Sequence, residues 1–290
     1  MMLAILFWFY KDFDVCENRL AGLRARNPGV PIYGLYGGEA AQALEAERRL
    51  RQWLDDFYAF TEPRSAHWKW QHGDRVIAAW HRDCGAELPW DSLVIVQWDM
   101  LLLAPLERLF ATLKPGHALF SGLRPEREVA GWWGWLNDSD PDKRTDRDAF
   151  RTYLKDQHGY QGELLCCLFI VVCLPRRFLT LYVSEGPPEV GFLEYKLPTL
   201  ARVYGIPFCE DHPYRPWWAS NPETRHAPAR ARLLNAVGED VSFDTILAEM
   251  ARPDGGRIVH PYRKLFPNRL KTGLPAGLLA RMRRLCGRVS

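Results

Sequence analysis

One carboxylate interrupts an otherwise apolar stretch: Asp99 follows Leu93-Val94-Ile95-Val96 and precedes Met100-Leu101-Leu102-Leu103. An unpaired buried carboxylate is costly, so such a residue is ion-paired, exposed at the end of a strand, or bound to a cation. Capping the helix expected at Pro105 and pairing with an arginine are the plainer uses. Two other segments place reactive types at the ends of apolar runs. Leu3–Tyr10 delivers Phe9 and Tyr10 and then Lys11 and Asp12, and Pro31–Tyr36 delivers Tyr36 followed by Gly37 and Gly38. Together with Gln97, Trp98 and Asp99 they offer aromatics for a flat base, glycines for close backbone approach, and a carboxylate for a metal or a hydroxyl.

The elements that carry these residues are legible from pattern. Leu3–Tyr10 reads as a strand buried on both faces, Val15–Arg26 as a helix stopped by Asn27-Pro28-Gly29, and Pro31–Tyr36 as a second strand. Strand, helix, strand within forty residues predicts a parallel unit. Ala40–Phe60 is helical by composition and His67–Arg82 supplies a further helix. Ser92–Trp98 is a third buried strand, Pro105–Leu113 a short helix, and Ala118–Gly122 a fourth, short strand. Arg124–Gln157 is expected to be a long, partly irregular insertion lining a site. Glu163–Leu174 reads as a core strand, Leu193–Tyr204 as a helix opened by Glu194, and Ile206–Glu210 as a short strand. In an open parallel sheet, ligands bind beyond the carboxyl ends of the strands, where Asp99 and the glycine pair fall.

Composition narrows the class. The chain has 290 residues, 47% apolar and 25% charged, which fits one globular α/β domain rather than a disordered chain. The net charge of +3 gives no argument for nucleic acid. Its distribution is uneven: residues 255–290 hold nine Lys/Arg and no acid, leaving 29 basic against 35 acidic residues, or −6, in the first 254. Seven cysteines without C-x-x-C spacing argue against a zinc site or a disulfide framework and for a reducing compartment. Met1–Tyr10 meets Lys11 and Asp12 too early for a signal peptide or a membrane span. The expected location is cytoplasmic.

The arrangement resembles the GT-A fold glycosyltransferases. The resemblance rests on the first strand and helix, the second strand with its Gly pair, and Gln97-Trp98-Asp99 followed by Leu103-Ala104-Pro105-Leu106. It rests also on Ile258-Val259-His260-Pro261-Tyr262-Arg263-Lys264 and on Gly191-Phe192-Leu193-Glu194-Tyr195-Lys196-Leu197-Pro198-Thr199-Leu200-Ala201. In that family a D-x-D motif holds Mn²⁺ or Mg²⁺ against the diphosphate of a sugar nucleotide. Here only its final Asp is matched, and Gln97 stands where the first would be; a neutral amide is a poorer ligand for a hard cation.

The resemblance implies transfer of a sugar from a nucleoside-diphosphate sugar to a hydroxyl acceptor, glycan or lipid-linked, as in surface polysaccharide synthesis. It implies a metal held by Asp99 and His260, with Mn²⁺ or Mg²⁺ as cofactor. Phe9, Tyr10, Lys11, Tyr36, Gly37, Gly38, Trp98 and Lys264 would form the donor site, and Arg263 is a further phosphate candidate. Trp132, Trp133, Trp135, Asp140 and Glu163 would face the acceptor, and Glu194 would be the catalytic base. Plainer readings stand beside these: a surface histidine, a hydrophobic patch of tryptophans, a Glu placed by a helix dipole, and ordinary helix-surface roles for Lys69-Trp70 and Arg82-Asp83. The competing functions are a non-catalytic carbohydrate- or partner-binding protein on a degenerate GT-A fold, and a sugar nucleotidyltransferase, which lacks its usual Gly-rich loop after strand one. The domain is expected over 1–268. Residues 269–290 are expected to form a basic amphipathic helix, with Leu274, Leu278, Leu279, Met282 and Leu285 at helical spacing, able to contact an anionic membrane peripherally.

Overall fold

The computed structural model describes residues 1–136, 140–211, 213–218, 233–236 and 238–268. The basic C-terminal helix expected over 269–290 lies outside the described residues, as does Asp138, a further acid considered for the acceptor side. A six-stranded sheet organises the domain, in the order β3-β2-β1-β4-β9-β6. Its strands are β1 (Leu3–Phe9), β2 (Ile32–Tyr36), β3 (Asp56–Ala59), β4 (Ser92–Gln97), β6 (Leu119–Phe120) and β9 (Val172–Pro175). The first four run parallel and β9 is antiparallel to both its neighbours. The fold is thus α/β, with a mostly parallel central sheet flanked by helices.

β1 sits at the centre because it can be buried on both faces. From Ala4 to Phe9 every residue is buried, with Ile5 paired to Ile32 on one side and to Val94 on the other. α1 (Phe13–Arg26) crosses over to β2 and closes on Asn27, whose side chain donates to the Leu23 carbonyl and accepts from the Leu106 amide. α2 (Ala43–Leu50), α3 (Ala66–Gln71), α4 (Gly73–Trp80) and α5 (Leu106–Leu109) follow, then α7 (Arg176–Glu185), α8 (Leu193–Val203) and α9 (Phe243–Met250). Two small ribbons complete the fold: β7 (Arg124–Pro125) with β8 (Leu165–Cys166), and β5 (Leu101–Leu102) with β10 (Ile258–Val259).

Four expectations are corrected. The helix read across Ala40–Phe60 stops at Leu50, and Asp56–Ala59 pairs with β2 as an edge strand, anchored where Asp55 accepts from the Ile32 amide and from Arg24. Strand pairing overrides a helical composition there. The irregular insertion contains an ordered 18-residue helix, α6 (Pro141–His158), although only Phe150 and Leu154 on it are buried. Asp140 caps it by accepting from the amides of Asp142 and Lys143, and Gly159 at φ 64° ends it. The single strand read over Glu163–Leu174 is two short ones; the chain between them turns around Ser121, whose hydroxyl donates to Leu168 and accepts from the Val171 amide. Ile206–Glu210 contributes one bridge, Phe208 to Ala118, and no strand. Among the described residues, no helix is long and apolar enough to cross a membrane.

Candidate functional site

A cavity of about 1100 Å³ opens beyond the carboxyl ends of the parallel strands. One wall comes from the loops after β1 and β2, with Tyr10, Lys11, Gly37 and Gly38. These glycines have a steric reason. A Cβ on Gly38 would lie 2.2 Å from the Tyr36 hydroxyl and 2.6 Å from the Tyr10 carbonyl, and one on Gly37 would lie 3.1 Å from the Trp8 indole nitrogen. Trp8 itself lines the cavity, and strand pattern gave no hint of it.

The floor is built where β4 ends. After Gln97 the chain turns, Met100 donating back to the Gln97 carbonyl, and continues as β5. β10 pairs antiparallel with β5, Val259 opposite Leu101, which carries the next residue, His260, alongside the turn at Asp99. The Tyr262 amide donates to the Asp99 carbonyl at 2.7 Å and locks the two segments together. His260 Nε2 thereby stands 3.6 Å from Asp99 Oδ1, and Arg263 Nε stands 3.8 Å from Asp99 Oδ2.

The protonation of this corner follows from its bonds. His260 Nδ1 is 3.0 Å from the Asn235 carbonyl, so it carries the proton and donates, and the Nε2 lone pair faces Asp99. Burial holds the imidazole below its ordinary pKa, against the pull of Asp99. Asp99 Oδ1 is buried and has no hydrogen-bond partner among the described residues. A carboxylate oxygen and an imidazole lone pair that face each other beyond hydrogen-bond reach fit a small divalent cation, which would draw both toward it. No group of three His, Cys, Asp or Glu side chains among the described residues makes a metal cage, so the other positions around an ion would fall to phosphate and water. Gln97 is committed elsewhere: its amide donates to the Phe169 carbonyl.

The opposite wall is aromatic. Trp135 stacks on Phe192 with ring centroids 3.9 Å apart, and Trp70 packs against both at 5.7 and 5.3 Å while remaining 49% exposed. Trp132 and Trp133 meet Trp218 edge-on at 5.4 and 5.3 Å. α6 holds this wall in place: Arg147 donates to the Leu136 carbonyl, Lys143 lies 4.6 Å over the Trp135 ring, and Asp146 accepts from the Gly191 amide and the Tyr195 hydroxyl. Beside the wall, the Glu194 carboxylate accepts from the Phe169 amide at 2.6 Å, and burial pushes its pKa up to about 8. α8 is fixed from behind by a fully buried ion pair, Lys196 to Asp74 at 2.9 Å, with the Tyr182 hydroxyl donating to the same Asp74 oxygen.

Of the residues singled out in the sequence, Tyr10, Lys11, Gly37, Gly38, Asp99, Trp132, Trp133, Trp135, Glu194 and His260 line this one cavity. The rest do not. Phe9 and Tyr36 are buried in the core, ring against ring at 5.3 Å, so the aromatic rings that this wall offers the cavity are Tyr10 and Trp8. Trp98 is buried behind Tyr10, with Lys11 Nζ 5.1 Å from its ring. Lys264 is exposed and away from the cavity; Arg263 is the cation of that element that reaches it. Asp140 is consumed as a helix cap and Glu163 in an ion pair with Arg127. Trp70, for which a plain helix-surface role stood as one reading, belongs to the aromatic wall, and Phe192 and Trp218 join it.

No protein family and no curated protein matches the sequence. Among solved structures, the apo structure of WbbM, a bifunctional glycosyltransferase, aligns with 89% of this chain at a TM-score of 0.43 and 9% identity. The alignment covers 45% of WbbM, so this chain spans less than half of that protein's length.

Proposed function

We propose that the cavity is the active site of a metal-assisted glycosyltransferase that takes a nucleoside-diphosphate sugar and transfers its sugar to a hydroxyl acceptor. The observation that carries this reading is the pairing of β5 with β10. It brings a carboxylate oxygen that has no hydrogen bond among the described residues and an imidazole nitrogen to 3.6 Å, with a guanidinium beside them, at the end of a parallel strand. That set of groups suits a cation and a diphosphate together. A divalent cation held by Asp99 and His260 would act as a Lewis acid toward the departing diphosphate. Arg263 and Lys11 would add positive charge where the leaving group's negative charge grows. Tyr10, Trp8 and the bare backbone of Gly37 and Gly38 would receive the nucleoside.

In an inverting transfer the acceptor oxygen forms a bond to the anomeric carbon. The bond from that carbon to the diphosphate breaks, and its electron pair leaves with the diphosphate. The acceptor proton passes to a carboxylate. Asp99 belongs to the phosphate side, Asp140 and Glu163 lie outside the cavity, and Glu39 and Glu62 line it on the loops after β2 and β3; Glu194, beside the aromatic wall, is the base we assign. Its raised pKa makes the ionised form a strong proton acceptor. The aromatic wall next to it favours a saccharide acceptor, whose C–H faces stack on indole rings.

Titration calorimetry with UDP and GDP, with and without Mn²⁺, tests the reading. Binding of one diphosphate should strengthen with Mn²⁺, and Asp99→Asn should remove that gain and lower turnover about 10²–10³-fold, as loss of charge stabilisation at a leaving group does. Equal affinity with and without Mn²⁺ in both proteins would remove the metal from the mechanism.

A further inference from the structure

The position of the segment that carries His260 and Arg263 decides the geometry opposite Asp99. One side of it is held by main-chain bonds, His260 with Leu233 and Asn235, Pro261 with Val241 and Tyr262 with Asp99; its other side rests on α1. Asn18 brackets the Phe266 peptide, its side-chain amide donating to the Phe266 carbonyl at 2.8 Å and its oxygen accepting from the Phe266 amide at 2.9 Å. Asn268 donates in turn to the Asn18 carbonyl at 2.7 Å. Arg19 Nη2 donates to the carbonyls of Tyr262, at 2.5 Å, and Lys264, at 2.7 Å, thereby spanning Arg263, and its guanidinium lies 5.5 Å from the Tyr262 ring centroid. Arg19 Nη1 donates to Asn18, so the two residues act as one clamp.

Structural economy alone does not account for this clamp. Arg19 is 3% exposed, and among the described residues no carboxylate lies within ion-pair distance of it. Burial lowers its pKa to about 10, against the fields of Tyr262, Cys16, Asp99 and Asp240, so it remains a cation at neutral pH. A buried, unpaired charge is a costly way to hold two carbonyls. It becomes intelligible if the main chain between those carbonyls must not move.

We propose that Asn18 and Arg19 are positioning residues for the phosphate end of the cavity, fixing main chain 262–266 so that His260 and Arg263 stand opposite Asp99. The inference rests on the donor reading above and goes beyond it: neither residue lines the cavity, and both act through the segment they hold. Residues that orient a metal ligand from behind change metal affinity about 10–100-fold when removed.

The test compares Asn18→Ala and Arg19→Lys with the wild-type protein. Arg19→Lys keeps the charge but cannot span both carbonyls; Asn18→Ala removes the bracket at a half-buried position and leaves Arg19 in place. Binding of UDP and GDP in the presence of Mn²⁺ should weaken about tenfold or more, while uridine and guanosine, which lack the diphosphate, bind as before. Amide hydrogen exchange should quicken across 258–268 and stay unchanged in β1 and β4. Unaltered diphosphate affinity in variants of a protein that binds it, or an equal loss of nucleoside and diphosphate binding, overturns the positioning role alone. A wild-type protein that binds neither diphosphate with Mn²⁺ overturns the donor reading and this role with it.

Discussion

The two ends of the cavity are built on different principles. The end at Asp99 and His260, where we propose the phosphates bind, is polar and assembled from distant segments: a turn after β4, a two-residue ribbon, and a segment held in part by hydrogen bonds to α1. The aromatic end is a packed wall, Trp70, Trp135 and Phe192 in mutual contact, supported by α6 and by the buried Lys196–Asp74 pair. Geometry at the first end is set by directional bonds and at the second by packing. Conservative changes should therefore act on catalysis at the first end and on stability or acceptor affinity at the second, with Glu194 as the exception that belongs chemically to neither.

Glu194 gives the largest expected effect. Glu194→Gln should lower turnover about 10²–10⁴-fold, the usual cost of losing a general base, with diphosphate affinity unchanged. Burial raises its pKa to about 8, so wild-type turnover should climb as pH passes through that value, and the climb should vanish in the variant. The same shift has a sign for stability. Between the ordinary glutamate range near 4.5 and about 8 the folded protein holds the proton more tightly than the unfolded chain, so this group's contribution to stability falls as pH rises. Denaturation midpoints of wild type and variant should diverge in the variant's favour from pH 5 to pH 8. Coincident curves would place the carboxyl in water.

Next in size is the ion pair behind the wall. Lys196→Met leaves Asp74 charged and buried, and should cost about 3–5 kcal/mol in a urea melt. The double variant Lys196→Met/Asp74→Leu should recover much of that loss, because no lone charge remains. If the single variant melts like wild type, α8 is held by its apolar face alone. The smallest effect is at Trp70. Trp70→Ala should remove one stacking contact, about 0.5–1.5 kcal/mol, raising the KM for a saccharide acceptor and leaving that for the donor as it was. A rise in the donor KM instead would move Trp70 to the other side of the comparison.

The sequence made the phosphate end more legible than the aromatic end. Asp99 stood out as a lone charge between apolar runs, and His260 through the element around it, although the β5–β10 ribbon that joins them is only two residues long on each side and has no readable period. Lys264 and Arg263 are neighbours, and only the turn of the chain selects Arg263. At the aromatic end Trp132, Trp133 and Trp135 were conspicuous, but Trp70 lies on a six-residue helix too short for a periodic signal. α6 begins at the Asp140-Pro141 cap and stops at Gly159, residue types that can bound a helix, but neither entered the reading of this segment as an irregular insertion. Its dense charge masked them, because a helix that buries only Phe150 and Leu154 has almost no apolar stripe. Asp140 and Glu163 drew notice as acids near a site, and local bonding spends both.

The β5–β10 ribbon also orders events in time. Its strands are separated by more than half of the chain, so closing it demands one of the longest loop closures in the domain. The parallel strands β1 to β4 are made within the first hundred residues and can pair early during synthesis. The corner at Asp99 cannot exist until residues 258–262 have emerged and docked. A ribosome-bound chain therefore carries the parallel sheet before it carries the Asp99–His260 corner, and any activity that needs the corner waits for that late closure.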